Sequence, residues 1–523
     1  MKSRLVLLLC ALAPCIESIG SYRSSPCVAS NSRTTFQGHS GSAQSDVCEW
    51  LGIPYASPPI GPLRFAPPVR SLIRGTFNAD SYGYDCPQNQ ASFFAYPNAT
   101  SQYRKIYANF VNQGNNTQSE DCLTLNVWAK PTKLAKPVIV WIHGGRYSAG
   151  TSNTPFYNGQ HLANTQDVVV VTFNFRMNIF GFSGSPEGTQ NVGFIDQYVA
   201  IAWVRDNIAA FGGDPTRITI VGQSSGAQAV GNWAYAFKRV PIVAGLVSHS
   251  GNVFSFPINT LELAAKNWYN VSGTLGCGNS GNTLACMRSP NITFSAILAA
   301  IRRVPPPPSN SATRSQPAFQ ITADNKTAFS VSEYSSRLSS GNLARLPYFQ
   351  IENDHESGFY RISALAQGRS PSESEWTSFE QTTFTCPKAF EAHGRAKLSI
   401  PNYRARYMAD WRNLRLFDDP SSGAYHGVEI NMITGNSEVV SGITPEAEQV
   451  KLTKKMQDAW AAFARDPVNG LDVFGWPKYE VDKETQIKLG TNTTSSVEFV
   501  SPAMYDEVCP GLGLDFWDGE IQK

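Results

Sequence analysis

The sequence predicts an α/β fold, a mostly parallel central sheet with helices on both faces. Three observations carry this. Continuous apolar runs at 137–142, 167–175 and 346–351 read as strands buried on both faces, as in parallel sheets. Helical spacing returns between them, with Ile195, Val199, Ala202, Trp203 and Ile208 on one stripe. Residues 217–236 then read as strand, glycine-flanked turn and helix in immediate succession.

The chain has 523 residues, 42% of them apolar, so a large core is available. Lys2 and Arg4 precede an apolar run at 5–12 that is too short to span a bilayer and fits a secretory signal peptide. Cleavage fits after Ala13 or after Gly20. The second cut removes Cys10 and Cys15 and leaves eight of the ten cysteines, an even number suited to an oxidising compartment. The expected organisation is a signal peptide over 1–20 and one domain over 21–523, secreted. Six N-x-[ST] sequons, at Asn98, Asn115, Asn270, Asn291, Asn325 and Asn492, agree with export as a glycoprotein. No later segment is apolar enough for a membrane helix. Forty-three Lys and Arg against 41 Asp and Glu leave no basic run for nucleic acid. The chain has no metal-ligand or nucleotide-loop spacing, so no metal or cofactor is expected and the partner is a small molecule.

In chain order, residues 50–65 are rich in proline and read as an extended, surface-hugging arm. Cys86 and Cys122 bracket a segment with Phe93, Phe94, Tyr96, Tyr103, Tyr107 and Phe110. A disulfide there would close a long loop, worth ~3–4 kcal/mol on the loop-entropy model. Its rings either pack on the body or form a flap over a site. The strand at 137–142 ends in His143-Gly144-Gly145-Arg146, and the one at 167–175 contains Asn174 before Arg176. The helix at 191–211 is stopped by Gly212-Gly213-Asp214-Pro215. A further strand follows at 245–250, and Cys277 and Cys286 sit close enough for a small disulfide loop. Residues 302–317, with four consecutive prolines, form a polar loop. The strand at 346–351 leads into Asn353-Asp354-His355-Glu356, and 451–465 is helical with Trp460 and Phe463 in the core.

The turn Gly222-Gln223-Ser224-Ser225-Gly226 holds a serine between a strand and a helix. A strained turn there exposes the hydroxyl above the sheet edge, so Ser224 is the candidate nucleophile. A serine hydroxyl needs an imidazole to take its proton and a carboxylate to orient the imidazole. If the partners follow in the order serine, acid, histidine, the acid is Glu356 or Asp354 and the base His426 or His393. His426 is favoured, because it lies in a glycine-containing loop whereas His393 continues a helical stretch. Backbone N–H groups of Gly145, Arg146 and Ser225 are the candidate oxyanion donors.

These residues resemble the type-B carboxylesterase/lipase family, α/β-hydrolases that include cholinesterases and fungal secreted esterases and lipases. The resemblance rests on Gly52-Ile53-Pro54-Tyr55-Ala56, on Glu120-Asp121-Cys122-Leu123 with Leu125-Asn126-Val127, and on Trp141-Ile142-His143-Gly144-Gly145. It continues through Phe211-Gly212-Gly213-Asp214-Pro215, the Ser224 turn, Phe384 with Cys386-Pro387, His426-Gly427 with Glu429, and Trp476-Pro477. It implies the α/β-hydrolase fold, a triad of Ser224, Glu356 and His426, and hydrolysis of small-molecule carboxylic esters through an acyl-enzyme. It also implies disulfides Cys86–Cys122 and Cys277–Cys286, a cholinesterase-like Cys386–Cys509, and Cys27–Cys48 by remainder. Acyl transfer or lactone formation on the same triad, and a non-catalytic binding protein, are the alternative readings. Three positions depart from the family: Gln223 replaces a glutamate, Arg146 a glycine and Ser357 a glycine. The stretch from Glu356 to Cys386 is also short, implying a partly trimmed helical cap.

Overall fold

The structure, a computed structural model, describes residues 27–42, 45–111, 116–132, 134–305 and 316–509. The expected signal segment and Asn115 lie outside the described residues. The first strands are β1 (Val28–Ser30), β2 (Thr34–Gln37), β3 (His39–Ser40), β4 (Cys48–Pro54) and β5 (Gly75–Asn78). Next come β6 (Thr124–Ala129), β7 (Lys136–Ile142), β8 (Val169–Phe173), β9 (Gly213–Gln223) and β10 (Gly245–His249). The last are β11 (Tyr348–Asn353), β12 (Asn402–Tyr407), β13 (Gln486–Leu489) and β14 (Val497–Val500). β1, β2 and β5 form a small sheet, and the other eleven form one sheet in the order β14-β13-β12-β11-β10-β9-β7-β8-β6-β4-β3. From β8 to β13 its neighbours are parallel, while β14 at one end and β6, β4 and β3 at the other are antiparallel.

β7 shows why a continuous apolar run suits this sheet. Successive side chains point to opposite faces, so Val138, Val140 and Ile142 enter one core and Ile139 and Trp141 the other. Helices Val192–Asn207 and Ser225–Ala236 cover the first core with Val199, Trp203, Val230 and Trp233. Helix Ala447–Arg465 covers the second with Met456, Trp460 and Phe463.

Residues 50–65 are not the surface arm that their prolines suggest. Trp50 to Ile53 belong to β4, and Trp50, Ile53, Tyr55 and Phe65 are buried. The register of β4 against β6 shifts between Trp50 and Ile53. Such a bulge breaks the period-two alternation that marks a strand in sequence. β12 is equally hard to read, because Arg404 and Arg406 interrupt it. Both are buried against Glu352, with Asp506 and Asp354 completing the pairs.

Four disulfides join Cys27 to Cys48, Cys86 to Cys122, Cys277 to Cys286 and Cys386 to Cys509. The loop between Cys86 and Cys122 contains helix Tyr103–Val111 and packs on the body. Tyr96 stacks on Phe417 at 4.3 Å between centroids, and Phe110 meets Phe359 edge-on at 4.8 Å. The asparagines of the five described sequons are all exposed.

Non-reducing peptide mapping should recover Cys86 linked to Cys122; linkage of Cys86 to any other residue would overturn this description of the loop. Replacing both cysteines with serine should remove ~3–4 kcal/mol of stability by loop entropy, read as a lower urea midpoint.

Candidate active site

The glycine-flanked turn is built by close packing. β9 ends at Gln223 and the helix begins at Ser225, which leaves Ser224 between them with φ 58° and ψ −122°. A side-chain-bearing residue in such a conformation is strained by about 1–3 kcal/mol. The turn is pinned where the Ser224 N–H donates to the His249 carbonyl at 2.8 Å. Neither flanking glycine has room for a side chain. A Cβ on Gly222 would lie 2.3 Å from the Gly226 carbonyl oxygen, and one on Gly226 would lie 2.2 Å from that of Ile142. Any substitution at either would drive the helix away from β7 and β9.

The end of β11 delivers a carboxylate, and the long loop after β12 delivers a histidine. Glu356 follows β11 by three residues, and its Oε2 stands 2.6 Å from Nδ1 of His426, with both side chains buried. The second carboxylate oxygen accepts the backbone N–H of Asn353 at 2.9 Å. Burial pushes the Glu356 carboxyl above the ordinary glutamate range, against the pull of His426. A neutral ring that gives its Nδ1–H to the carboxylate carries its lone pair on Nε2. That nitrogen is buried and has no hydrogen-bond partner among the described residues. The ring is held between Tyr360, at 5.0 Å, and Phe384, at 5.4 Å.

The alternatives lie elsewhere. Asp354 turns to Arg406, whose Nε donates to it at 2.7 Å. His393 is half-buried on helix Cys386–Lys397 and makes no ion pair among the described residues. The His426 loop meets the serine turn through its next residue, since a Cβ on Gly427 would lie 3.3 Å from Gln223 Nε2.

The loop after β7 completes the arrangement. Gly145, Arg146 and Tyr147 are successively left-handed, with φ 109°, 60° and 55°. Arg146 therefore adopts the backbone conformation natural to the glycine it replaces, and its N–H is a backbone property that the side chain leaves intact. Gly144 accepts a hydrogen bond from His143 Nδ1 at 2.8 Å, and a Cβ on it would lie 3.0 Å from Ser224 Cβ. Burial pushes His143 down to about 4, which keeps it neutral. No described hydrogen bond uses the Gly145 N–H. Ser225 opens its helix, so its N–H has no intrahelical acceptor.

Aromatic rings pack around the triad histidine and its loop; sequence reading left Phe110 open between body packing and a flap over a site, and assigned Tyr360, Phe256, Trp376 and Phe379 no place. Phe110 reaches in from the Cys86–Cys122 loop, and a Cβ on Gly427 would lie 2.6 Å from its Cζ. On the other side Tyr360 and Phe384 cluster with Phe256, Trp376 and Phe379. Phe384 sits on the π-helical turn Gln381–Thr385, a distortion frequent at functional sites. Asn353, Glu429 and His249 also surround the carboxylate. Only Glu429 carried a sequence signal, its spacing of three from His426. Among the described residues no group of three or more His, Cys, Asp or Glu forms a metal cluster, and no helix is long and apolar enough to cross a membrane.

A family model described as the carboxylesterase family matches residues 28–382. A chlorogenic acid esterase of Aspergillus niger is 31% identical over 472 residues, covering 85% of this chain and 86% of the relative. Secreted lipase 5 of Gibberella zeae is 30% identical over 521 residues, covering 89% and 90%. A para-nitrobenzyl esterase of Bacillus subtilis is 28% identical over 493 residues, covering 87% and 93%. With the family model covering more than half of the chain and these relatives most of it, the chain belongs to the carboxylesterase family and is a carboxylic-ester hydrolase of the α/β-hydrolase fold.

Proposed function

We propose that this protein is a secreted serine esterase that cleaves soluble small-molecule esters through an acyl-enzyme on Ser224. The observation that carries the reading is the buried 2.6 Å contact of Glu356 with His426, which leaves Nε2 as the ring's acceptor while the next residue, Gly427, lies against Gln223 of the strained serine turn. Ser224 Oγ attacks the ester carbonyl while His426 Nε2 takes the hydroxyl proton, and Glu356 stabilises the imidazolium. The N–H groups of Gly145, Arg146 and Ser225 receive the oxyanion. The tetrahedral intermediate collapses as His426 returns the proton to the leaving alkoxide, releasing alcohol. Water then repeats the sequence on the acyl-enzyme, with His426 as base, and frees the acid and Ser224. Four disulfides and five exposed sequon asparagines support passage through an oxidising, glycosylating compartment.

The rings argue for compact substrates. Tyr360 and Phe384 flank the His426 ring and pack with Phe256, Trp376 and Phe379 in one buried cluster, while Phe110 meets Phe359 and approaches Gly427. A glycan on exposed Asn98 would add polar bulk to the Cys86–Cys122 loop and oppose insertion into a lipid surface. We therefore assign short or medium acyl chains and bulky or aromatic alcohol parts. One relative is named a chlorogenic acid esterase.

Ser224→Ala and His426→Ala should each lower kcat by ~10⁴–10⁶, whereas His393→Ala should stay active; a fluorophosphonate adduct on a serine other than Ser224 would sink the assignment. Gln223 places no negative charge beside the nucleophile, so a choline ester should react no faster than a neutral ester of the same acyl group; a large selective rate for the cation would contradict this. Initial rates for esters of increasing acyl length, followed through the solubility limit, should be hyperbolic and fall for long chains. A sharp rise once an emulsion forms would make the enzyme a lipase, as the second relative is named.

A further inference from the structure

A second buried histidine–carboxylate pair lies behind the first. His249, the last residue of β10, has no exposed surface, and its Nδ1 stands 3.1 Å from Glu429 Oε1. Its Nε2 accepts the indole N–H of Trp460 at 3.0 Å. An indole nitrogen only donates, so Nε2 carries the lone pair and Nδ1 carries the proton given to Glu429. The other oxygen of Glu429 accepts the Asn353 side-chain amide at 2.5 Å. That amide nitrogen also donates to the carbonyl of Tyr425, at 2.8 Å, immediately before His426. The backbone N–H of the same asparagine goes to Glu356. Asn353 thus ties both carboxylates and the histidine loop together, and His249 holds the far end.

We propose that His249 is a positioning residue of the active site, which through Glu429 and Asn353 fixes the Tyr425–His426 turn and keeps a second negative charge behind Glu356. The proposal rests on the triad reading above. Its distinguishing observation is that His249 meets the site twice, by its carbonyl on the Ser224 N–H and by its ring on Glu429. The acyl-transfer steps use neither contact; the carbonyl contact is a main-chain one that any residue at 249 would make, so the ring's contact with Glu429 carries the proposal.

The electrostatics agree. Burial would raise Glu429, but hydrogen bonds from His249 and Asn353 outweigh it and hold the carboxyl below its ordinary value. Burial lowers His249, and the indole N–H donated to Nε2 requires a lone pair there, so the pair is an anion beside a neutral ring. Glu356 feels that anion as a push upward, after the larger effect of its own burial. The other groups facing Glu429 are the phenols of Tyr157, Tyr407 and Tyr425, all raised chiefly by burial and hence uncharged. The ammonium of Lys388 faces His249 and is also near Glu352, Glu356 and Glu391. Burial pushes Lys388 down to about 8, so it stays charged throughout acidic pH.

The test is the pH profile of kcat/KM below neutrality for His249→Leu, His249→Gln and Asn353→Ser, with rates divided by fluorophosphonate-titrated sites. His249→Leu removes the donor to Glu429, which then protonates. The negative charge that pushes on Glu356, the hydrogen-bond partner of the His426 ring, is lost, so the acidic limb should move to lower pH by about half a unit. kcat should fall about tenfold with KM little changed. His249→Gln can offer N–H to Glu429 and a carbonyl to Trp460, and should restore both readouts. Asn353→Ser keeps the backbone N–H on Glu356 and should reproduce the loss in kcat. An unmoved limb in His249→Leu, or His249→Gln as impaired as leucine, would overturn the proposal. Should His249→Leu fail to fold, wild-type kcat in Asn353→Ser would overturn it. Fluorophosphonate labelling of wild-type Ser224 tests the triad reading separately.

Discussion

The approach of Gly226 to the Ile142 carbonyl sets the geometry on which the site depends. Because neither Gly226 nor Gly222 carries a side chain, helix Ser225–Ala236 starts directly on the ends of β7 and β9. One consequence is the strained Ser224 backbone, which cannot relax without lifting the helix from a fully packed core. A second is that the loop after β7 lies beside the serine, so close that a Cβ on Gly144 would stand 3.0 Å from Ser224 Cβ. The proposed nucleophile and its proposed oxyanion donors are therefore consequences of one packing contact.

The half of the sheet beyond β10 is organised by charge. Glu352, Glu356, Glu391, Glu429, Lys388, Arg395 and Arg404 are all buried. Buried charges persist only when they are paired, and loss of one partner typically costs about 3–5 kcal/mol. Arg395 with Glu391, and Arg404 with Glu352 and Asp506, meet that condition as ion pairs. Glu356 and Glu429 meet it through histidines and one shared asparagine. A low-dielectric setting strengthens each of these interactions, and it is the setting in which a carboxylate can hold an imidazole in one tautomer. Arg146 belongs to a different logic, since its proposed oxyanion donor is a main-chain group and a residue that accepts a left-handed backbone can stand where a glycine is usual.

What the sequence alone determined was local. Period, turn chemistry and apolar runs pointed to β7, β8, β9, β10 and β11, to helices Val192–Asn207, Ser225–Ala236 and Ala447–Arg465 but not Leu261–Thr274, and to Ser224 at its turn, because strand and helix patterns are written in adjacent residues. The ordered motifs pointed to the family and so to Glu356 over Asp354. The tertiary structure decided what depends on distant partners. β4 escaped because a bulge breaks its alternation, and β12 because its arginines are neutralised by residues from other elements. Arg406, from the neighbouring strand, takes up Asp354, while Glu356 meets a histidine 70 positions later. Phe110 enters the site only because its loop folds back onto Gly427, and His249 matters only because Glu429 and Trp460 close on its two nitrogens. Such contacts join residues far apart in the chain, and a buried polar group is specified by whichever partner the fold brings within hydrogen-bond reach, a distance that no local pattern encodes.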